Sequence, residues 1–228
     1  MAGVSRNNAG LSTEAIVTEA LRIIDGQGLR RLTMRRLGDA LNVEAMAIYH
    51  HFPLGKEQLF DAIVAHITDV DDTPRSASEP ASHDAPAEPD PRSWRERLHD
   101  WAEAYRAALL DHSGALALLI NRRADTPAAL RSLETHYAAF AEAGLAPDTI
   151  PRAAAALNAY VTGAVIREVR TQSPASPDRV APETVDGRYP HVARLAPTEG
   201  EDHDQSFRWG LEALLRGLVG STHPTDRA

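Results

Sequence analysis

The chain has 228 residues, of which 43% are hydrophobic and 25% charged, with a formal net charge of −8. That composition supports one or two buried cores, and the absence of cysteine excludes disulfide scaffolds and thiolate metal sites. No charged-then-apolar leader opens the chain and no apolar run is long enough to span a bilayer, so the expectation is a cytoplasmic protein without a membrane partner.

In chain order, Ser12 or Thr13 can cap a helix with Ile16, Val17, Ala20, Leu21 and Ile24 on one face, and Gly26 and Gly28 predict its end. Thr33 caps a short second helix carrying Leu37, Ala40 and Leu41. Asn42 follows, a residue that tolerates left-handed backbone. A third helix runs from about 44 to 50 with Ala47 and Ile48 facing inward, and the Pro53-Leu54-Gly55 turn closes it. Lys56 opens a fourth, striped by Leu59, Phe60, Ile63, Val64 and Ile67. Residues 71–92 lack apolar periodicity and read as a flexible linker. Helical spacing resumes with Trp94, Leu98, Trp101, Tyr105 and Leu109. Further helices are predicted at 115–120, 126–143, 148–172 and 204–219. Residues 173–203 read as loop, interrupted by the apolar group around Tyr189 and Val192. No strand-like alternation persists, so the fold class is all-α. The expected organisation is a helix-turn-helix domain over 1–70, a linker over 71–92 and a helical domain over 93–228.

Charge is distributed unevenly. Residues 1–56 carry seven basic and five acidic side chains, so the remainder of the chain sums to −10. A mildly basic head on an acidic body suggests that only the head meets nucleic acid. Within that head, Leu37, Leu41, Val43 and Ile48 can fix the angle between two short helices, and Gly38 lets their backbones approach. The outer face of residues 44–50 is then free to meet base edges.

The stretch LTMRRLGDALNVEAMAIYHHFPLGKEQLFDAI (residues 32–63) resembles the DNA-binding head of the TetR family. Its marks are the capping Thr, the Leu-Gly/Ala-x-x-Leu core, the Tyr-x-His-Phe end of helix three and the Lys opening helix four. The turn at 53–56 is one residue longer than the family's commonest form. The resemblance implies that Thr33 and Lys56 bond phosphates and that Arg35 reaches a guanine edge. Tyr49 and His50 would touch backbone or base, and Glu44, Ala45, Met46 and Ala47 would form the leading edge of the reading helix. That edge has few hydrogen-bond donors, which leaves specificity to Arg35, methyl contacts and DNA shape. Tyr49 equally suits a core aromatic with a wet hydroxyl, whereas His51 and Phe52 suit packing.

Segments 93–119, 154–168 and 206–218 are similar to the C-terminal domain of the subgroup that includes the tetracycline repressors. This resemblance implies a small-molecule effector in a helical body and a homodimer on double-stranded operator DNA. The Ala-rich stretch 153–163 would join Phe207, Leu211, Leu214, Leu215 and Leu218 in a four-helix bundle, unless they form an intramolecular core. Positions matching ligand contacts hold Trp101, Tyr105, Leu118, Asn121, Arg122, His136, Asn158, Thr162 and Arg167. Trp101 and Tyr105 are equally compatible with plain core packing. Leu118 and Arg167 fall where the tetracycline repressors carry a metal-binding histidine and a supporting glutamate. Neither side chain suits a divalent cation, so no metal or other cofactor is expected, and a flat aromatic or polyketide-like effector is preferred to tetracycline.

Enzyme motifs are missing: no HExxH, phosphate-cradling glycine loop or nucleophile elbow occurs. The second reading is a small-molecule-binding helical protein without a gene-regulatory role.

Overall fold

The computed structural model describes residues 11–70, 90–120, 126–172, 189–195 and 202–220, and all regular secondary structure among them is helical. The chain divides into two compact units, one from residues 1–71 and 107–134, the other from 72–106 and 135–228.

The first unit opens with α1 (Thr13–Gln27), whose first turn is capped by Ser12 Oγ accepting from the Ala15 N–H at 3.0 Å. Gly28, at φ 85°, ends α1. Gly26 lies within it, contrary to the expected double stop, because an isolated glycine weakens a helix by about 1 kcal/mol without breaking it. Next, α2 (Met34–Leu41) is capped by Thr33, whose Oγ1 accepts from the Arg36 N–H at 3.1 Å. It closes through Asn42 in the left-handed region, φ 54°. The Asn42 N–H donates to the Asp39 carbonyl and the Val43 N–H to the Gly38 carbonyl, a closure that satisfies the last carbonyls of a helix.

Two further helices, α3 (Ala45–His51) and α4 (Lys56–Thr68), follow. Ile16, Ile24, Leu37, Ile48, Leu59 and Ile63 are fully buried, and α1 packs on α2 and α4. At the end of α5 (Trp94–Asp111), a 3-10 turn over Ser113–Ala115 lies against α1 and leads into α6 (Leu116–Ile120). A Cβ on Gly114 would come within 2.9 Å of the Ile24 carbonyl oxygen, so this approach requires glycine. Beside it His112 Nδ1 pairs with Asp25 at 2.8 Å. Arg131, on α7 (Pro127–Glu142), pairs with Asp69 at 2.6 Å.

The core of the second unit draws Leu98 from α5, Phe140 from α7, Leu157, Val161 and Val165 from α8 (Ile150–Thr171), and Leu211 and Leu215 from α10 (His203–Gly220). Helices α8 and α10 pack on each other, pinned where the Tyr160 hydroxyl donates to the Phe207 carbonyl at 2.7 Å. Residues 190–195, expected as loop, form the short helix α9 (Pro190–Leu195); proline's fixed φ suits a first helical turn. The expected linker lies outside the described residues over 71–89.

Candidate functional site

Two places in the chain gather functional chemistry. On the first unit, the approach of α2 to α3 depends on Gly38. A Cβ there would lie 2.9 Å from the Val43 carbonyl oxygen and 3.2 Å from the Ala45 nitrogen. With the inner face sealed by Val43, Ile48 and Phe52, the outer face of α3 presents Glu44, Met46, Tyr49 and His50, all exposed. Met46 is the most open of α3's large apolar side chains at 64%. Ala45 is half-buried. Ala47 is buried at 8% beside Ile48 and leaves the expected reading edge, because each step along a helix rotates about 100° and the residue after outward-facing Met46 has turned toward the core.

Around that face, Arg35 is exposed in the first turn of α2. Thr33 is exposed as well; its oxygen accepts the capping bond while the hydroxyl hydrogen can still be donated. The Tyr49 ring runs alongside Gly55, which opens α4 at φ 72°. Lys56 is half-buried with Nζ over the Phe60 ring at 5.0 Å. The arrangement offers the cations Arg35 and Lys56, hydroxyls and an apolar tip around an exposed helix face, chemistry suited to phosphates and base edges.

The second place lies inside the second unit. Trp101 and Tyr105, one turn apart on α5, stack with ring centroids 5.0 Å apart and planes 28° from parallel. His136 of α7 meets the Trp101 ring edge-on at 4.1 Å. All three are nearly fully buried. Burial raises the Tyr105 phenol above its ordinary pKa, while hydrogen bonds from the Thr162 and Asn158 side chains act in the opposite sense. Burial pushes the His136 imidazole down to about 4, so it is neutral at physiological pH. Trp101 Nε1 and both ring nitrogens of His136 have no hydrogen-bond partner.

Of the nine expected ligand contacts, this cluster unites Trp101, Tyr105, His136, Asn158 and Thr162. Arg167 is not among them. It lines a groove of about 810 Å³ between α8 and α10, with Ala159, Tyr160, Gly163, Phe207 and Trp209. Five residues beyond Thr162, a helix has turned some 500°, which carries Arg167 to another face. Leu118 is buried in the first unit, and Asn121 and Arg122 lie outside the described residues. Among the described residues no group of three or more His, Asp or Glu is placed to hold a metal.

Sequence reasoning missed the buried ion cluster beside this site. Arg106 donates to Glu168 at 2.8 Å, pairs with Asp204 at 2.7 Å and lies over the Phe207 ring at 4.9 Å. Burial works against its charge, and the two carboxylates outweigh that, so its pKa is raised. Glu168 is 62 residues away in sequence, and nothing local to Arg106 announces the pairing. The expected bundle face also changes. Ala153, Ala154, Phe207, Leu211 and Leu215 are buried within the chain, whereas Ala155, Ala159, Gly163 and Trp209 remain exposed.

Described residues whose regular structure is all helical, with a capped helix-turn-helix and a second unit enclosing aromatic and imidazole groups, have the form of a helix-turn-helix regulator. Residues 16–63 match the profile of bacterial regulatory proteins of the tetR family, and residues 85–221 match the tetracyclin repressor-like C-terminal domain. The chain belongs to the TetR family. It is 32% identical to an HTH-type transcriptional regulator of Saccharopolyspora erythraea, covering 95% of this chain and 88% of that protein. A crystal structure of a possible TetR family transcriptional regulator from Streptomyces coelicolor A3(2) superposes with TM-score 0.73 at 30% identity, covering 92% of this chain and 100% of that one. The Streptomyces coelicolor TetR family protein ActR in complex with actinorhodin superposes with TM-score 0.72 at 23% identity, covering 92% and 98%, a likeness of fold. No helix among the described residues is long and apolar enough to cross a membrane.

Proposed function

We propose that this chain is a ligand-responsive transcriptional repressor acting in the cytoplasm. It binds a palindromic operator in double-stranded DNA as a homodimer and is released by a small aromatic or polyketide-like effector. The observation that carries the reading is the exposed outer face of α3, with Glu44, Met46, Tyr49 and His50, held at its angle by the Gly38 contact. Residues 1–70 serve as the reading head, 71–92 as linker and 93–228 as sensor and dimer body. Arg35 reads a guanine edge, while Thr33 and Lys56 hold phosphates. Trp101, Tyr105, His136, Asn158 and Thr162 face the effector, and neither metal nor cofactor takes part. ActR, crystallised with actinorhodin, supports an effector of that kind.

The exposed small residues Ala155, Ala159 and Gly163, with Trp209 at 76% exposure, form the face on which a second copy packs. Two heads are then set about 34–36 Å apart, one DNA turn. Effector and operator oppose each other through one coupling free energy, so each weakens the other by the same factor, typically ~5–150-fold.

The test is an anisotropy titration against the chain's own upstream DNA at two salt concentrations, beside an Arg35→Ala, Tyr49→Ala variant. Tight, salt-sensitive binding that the variant loses is expected. A folded dimer with no specific binding, and no fragment recovered from a genome-wide DNA pull-down, would reduce the chain to a small-molecule binder.

A further inference from the structure

Residues 30–36 carry four arginines and no acidic side chain, in a chain of net charge −8. Arg30, Arg31, Arg35 and Arg36 are all exposed, and among the described residues none of them holds a carboxylate. Carboxylates are not in short supply, with 32 acidic residues against 24 basic ones. The arginines of the second unit are spent otherwise: Arg92, Arg95, Arg97, Arg106 and Arg208 each pair with Asp or Glu. In the head itself, exposed Arg22 forks onto Glu19 through two hydrogen bonds. Like charges crowded together repel one another, so an unpaired set of four calls for an anion from outside.

Arg35 and Arg36 lie within α2, and Arg35 has a base edge as its target. Arg30 and Arg31 stand on the approach to that helix, where the backbone is fixed. The Arg31 N–H donates to the Gly28 carbonyl at 3.0 Å and the Leu32 N–H to the Leu29 carbonyl at 3.2 Å, a 3-10 turn over Leu29–Arg31. Leu32, wholly buried, anchors it. Arg31 is two residues and Arg30 three residues from Thr33, so their Cα atoms lie within about 7 and 10 Å of the Thr33 Cα. A phosphate met by Thr33, or its neighbour along the strand, is therefore within reach of both guanidinium groups. A guanidinium matches a phosphate with two parallel N–H donors, and such contacts carry no base information.

We propose that Arg30 and Arg31 form a phosphate clamp ahead of α2, a sequence-independent grip on the backbone of duplex DNA that adds affinity without adding specificity. The clamp deepens the operator-binding reading and rests on it.

The experiment measures binding of the full chain to an operator selected from randomised duplexes and to a random duplex, over about 50 to 200 mM salt. In Arg30→Ala, Arg31→Ala the slope of log affinity against log salt is expected to fall by roughly 3–4 for the homodimer, four phosphate contacts at about 0.9 each. The ratio of operator to random affinity is expected to stay at the parent's value. Arg30→Lys, Arg31→Lys is expected to restore the slope, because counterion release reads charge. Arg22→Ala, which removes an exposed arginine already paired with Glu19, is expected to keep the parent's slope. Equal thermal midpoints check that the variants fold. A double alanine variant with the parent's slope would overturn the clamp and leave the repressor standing. So would a collapse of the operator-to-random ratio, which would make these arginines base readers. A lysine variant that fails to restore the slope, or an equal fall in Arg22→Ala, overturns it as well. Failure to select any operator with the parent chain sinks the repressor reading itself, and the clamp with it.

Discussion

The imidazole of His136 stands edge-on to the indole of Trp101, centroids 4.1 Å apart and planes at 84°, with no nitrogen of either ring hydrogen-bonded. Burial holds the imidazole near a pKa of about 4, below the 6.5 of an exposed histidine. In that window the unfolded chain binds the proton and the folded chain does not. Stability is therefore complete above pH 6.5 and falls as pH drops toward 4, by at most about 1.4 kcal/mol per pH unit. Urea denaturation at pH 7.5 and 5.0 measures this, and His136→Phe is expected to flatten the difference. An equal acid loss in variant and parent would contradict it.

Arg106 is the centre of the second unit's buried charges, with Glu168 and Asp204 as partners. Arg106→Met leaves the buried Glu168 carboxylate uncompensated and is expected to cost about 3–5 kcal/mol. Removing both charges, in Arg106→Met, Glu168→Leu, is expected to recover most of that, since Asp204 is exposed and can be solvated. A single variant within about 1 kcal/mol of the parent in unfolding free energy from urea titration would show the pair to be dispensable.

Gly38 and Gly26 both lie in helices of the head, yet their surroundings predict opposite outcomes. Gly38→Ala places a methyl group against backbone atoms at 2.9 and 3.2 Å. It is expected to destabilise the head by about 1–3 kcal/mol, and to abolish specific operator binding while the second unit still binds ligand. Gly26 has nothing within 4 Å of an added Cβ, so Gly26→Ala is expected to stabilise by about 1 kcal/mol. Thermal unfolding of the two variants settles the contrast; a harmless Gly38→Ala would remove the argument for its packing role.

Met46 projects from the outer face of α3, which carries no Lys, Arg, Asn or Gln between Ala45 and His51. An apolar tip on a donor-poor helix favours contact with a thymine methyl group. Replacing one operator thymine with uracil, at the contacted position, is expected to weaken binding roughly fourfold, the equivalent of one buried methyl. Met46→Ala is expected to lose sensitivity to that replacement. A parent protein indifferent to uracil at every operator position would exclude methyl reading.

The sequence by itself determined the head. The Thr33 cap, the close approach at Gly38, the left-handed Asn42 and the stripe of α4 are local, fixed by backbone geometry within a few residues. It also determined that Trp101 and Tyr105 share a surface, since residues four apart on a helix must. Only the tertiary structure decided what that surface meets. It turned Asn158 and Thr162 toward Tyr105 and Arg167 toward the α8–α10 groove, folded Ala153 and Ala154 inward while leaving Ala155 and Ala159 outside, and brought Glu168 to Arg106. The reason is physical: periodicity says which residues share a helix face, while the neighbour opposite that face is chosen by packing between segments tens of residues apart.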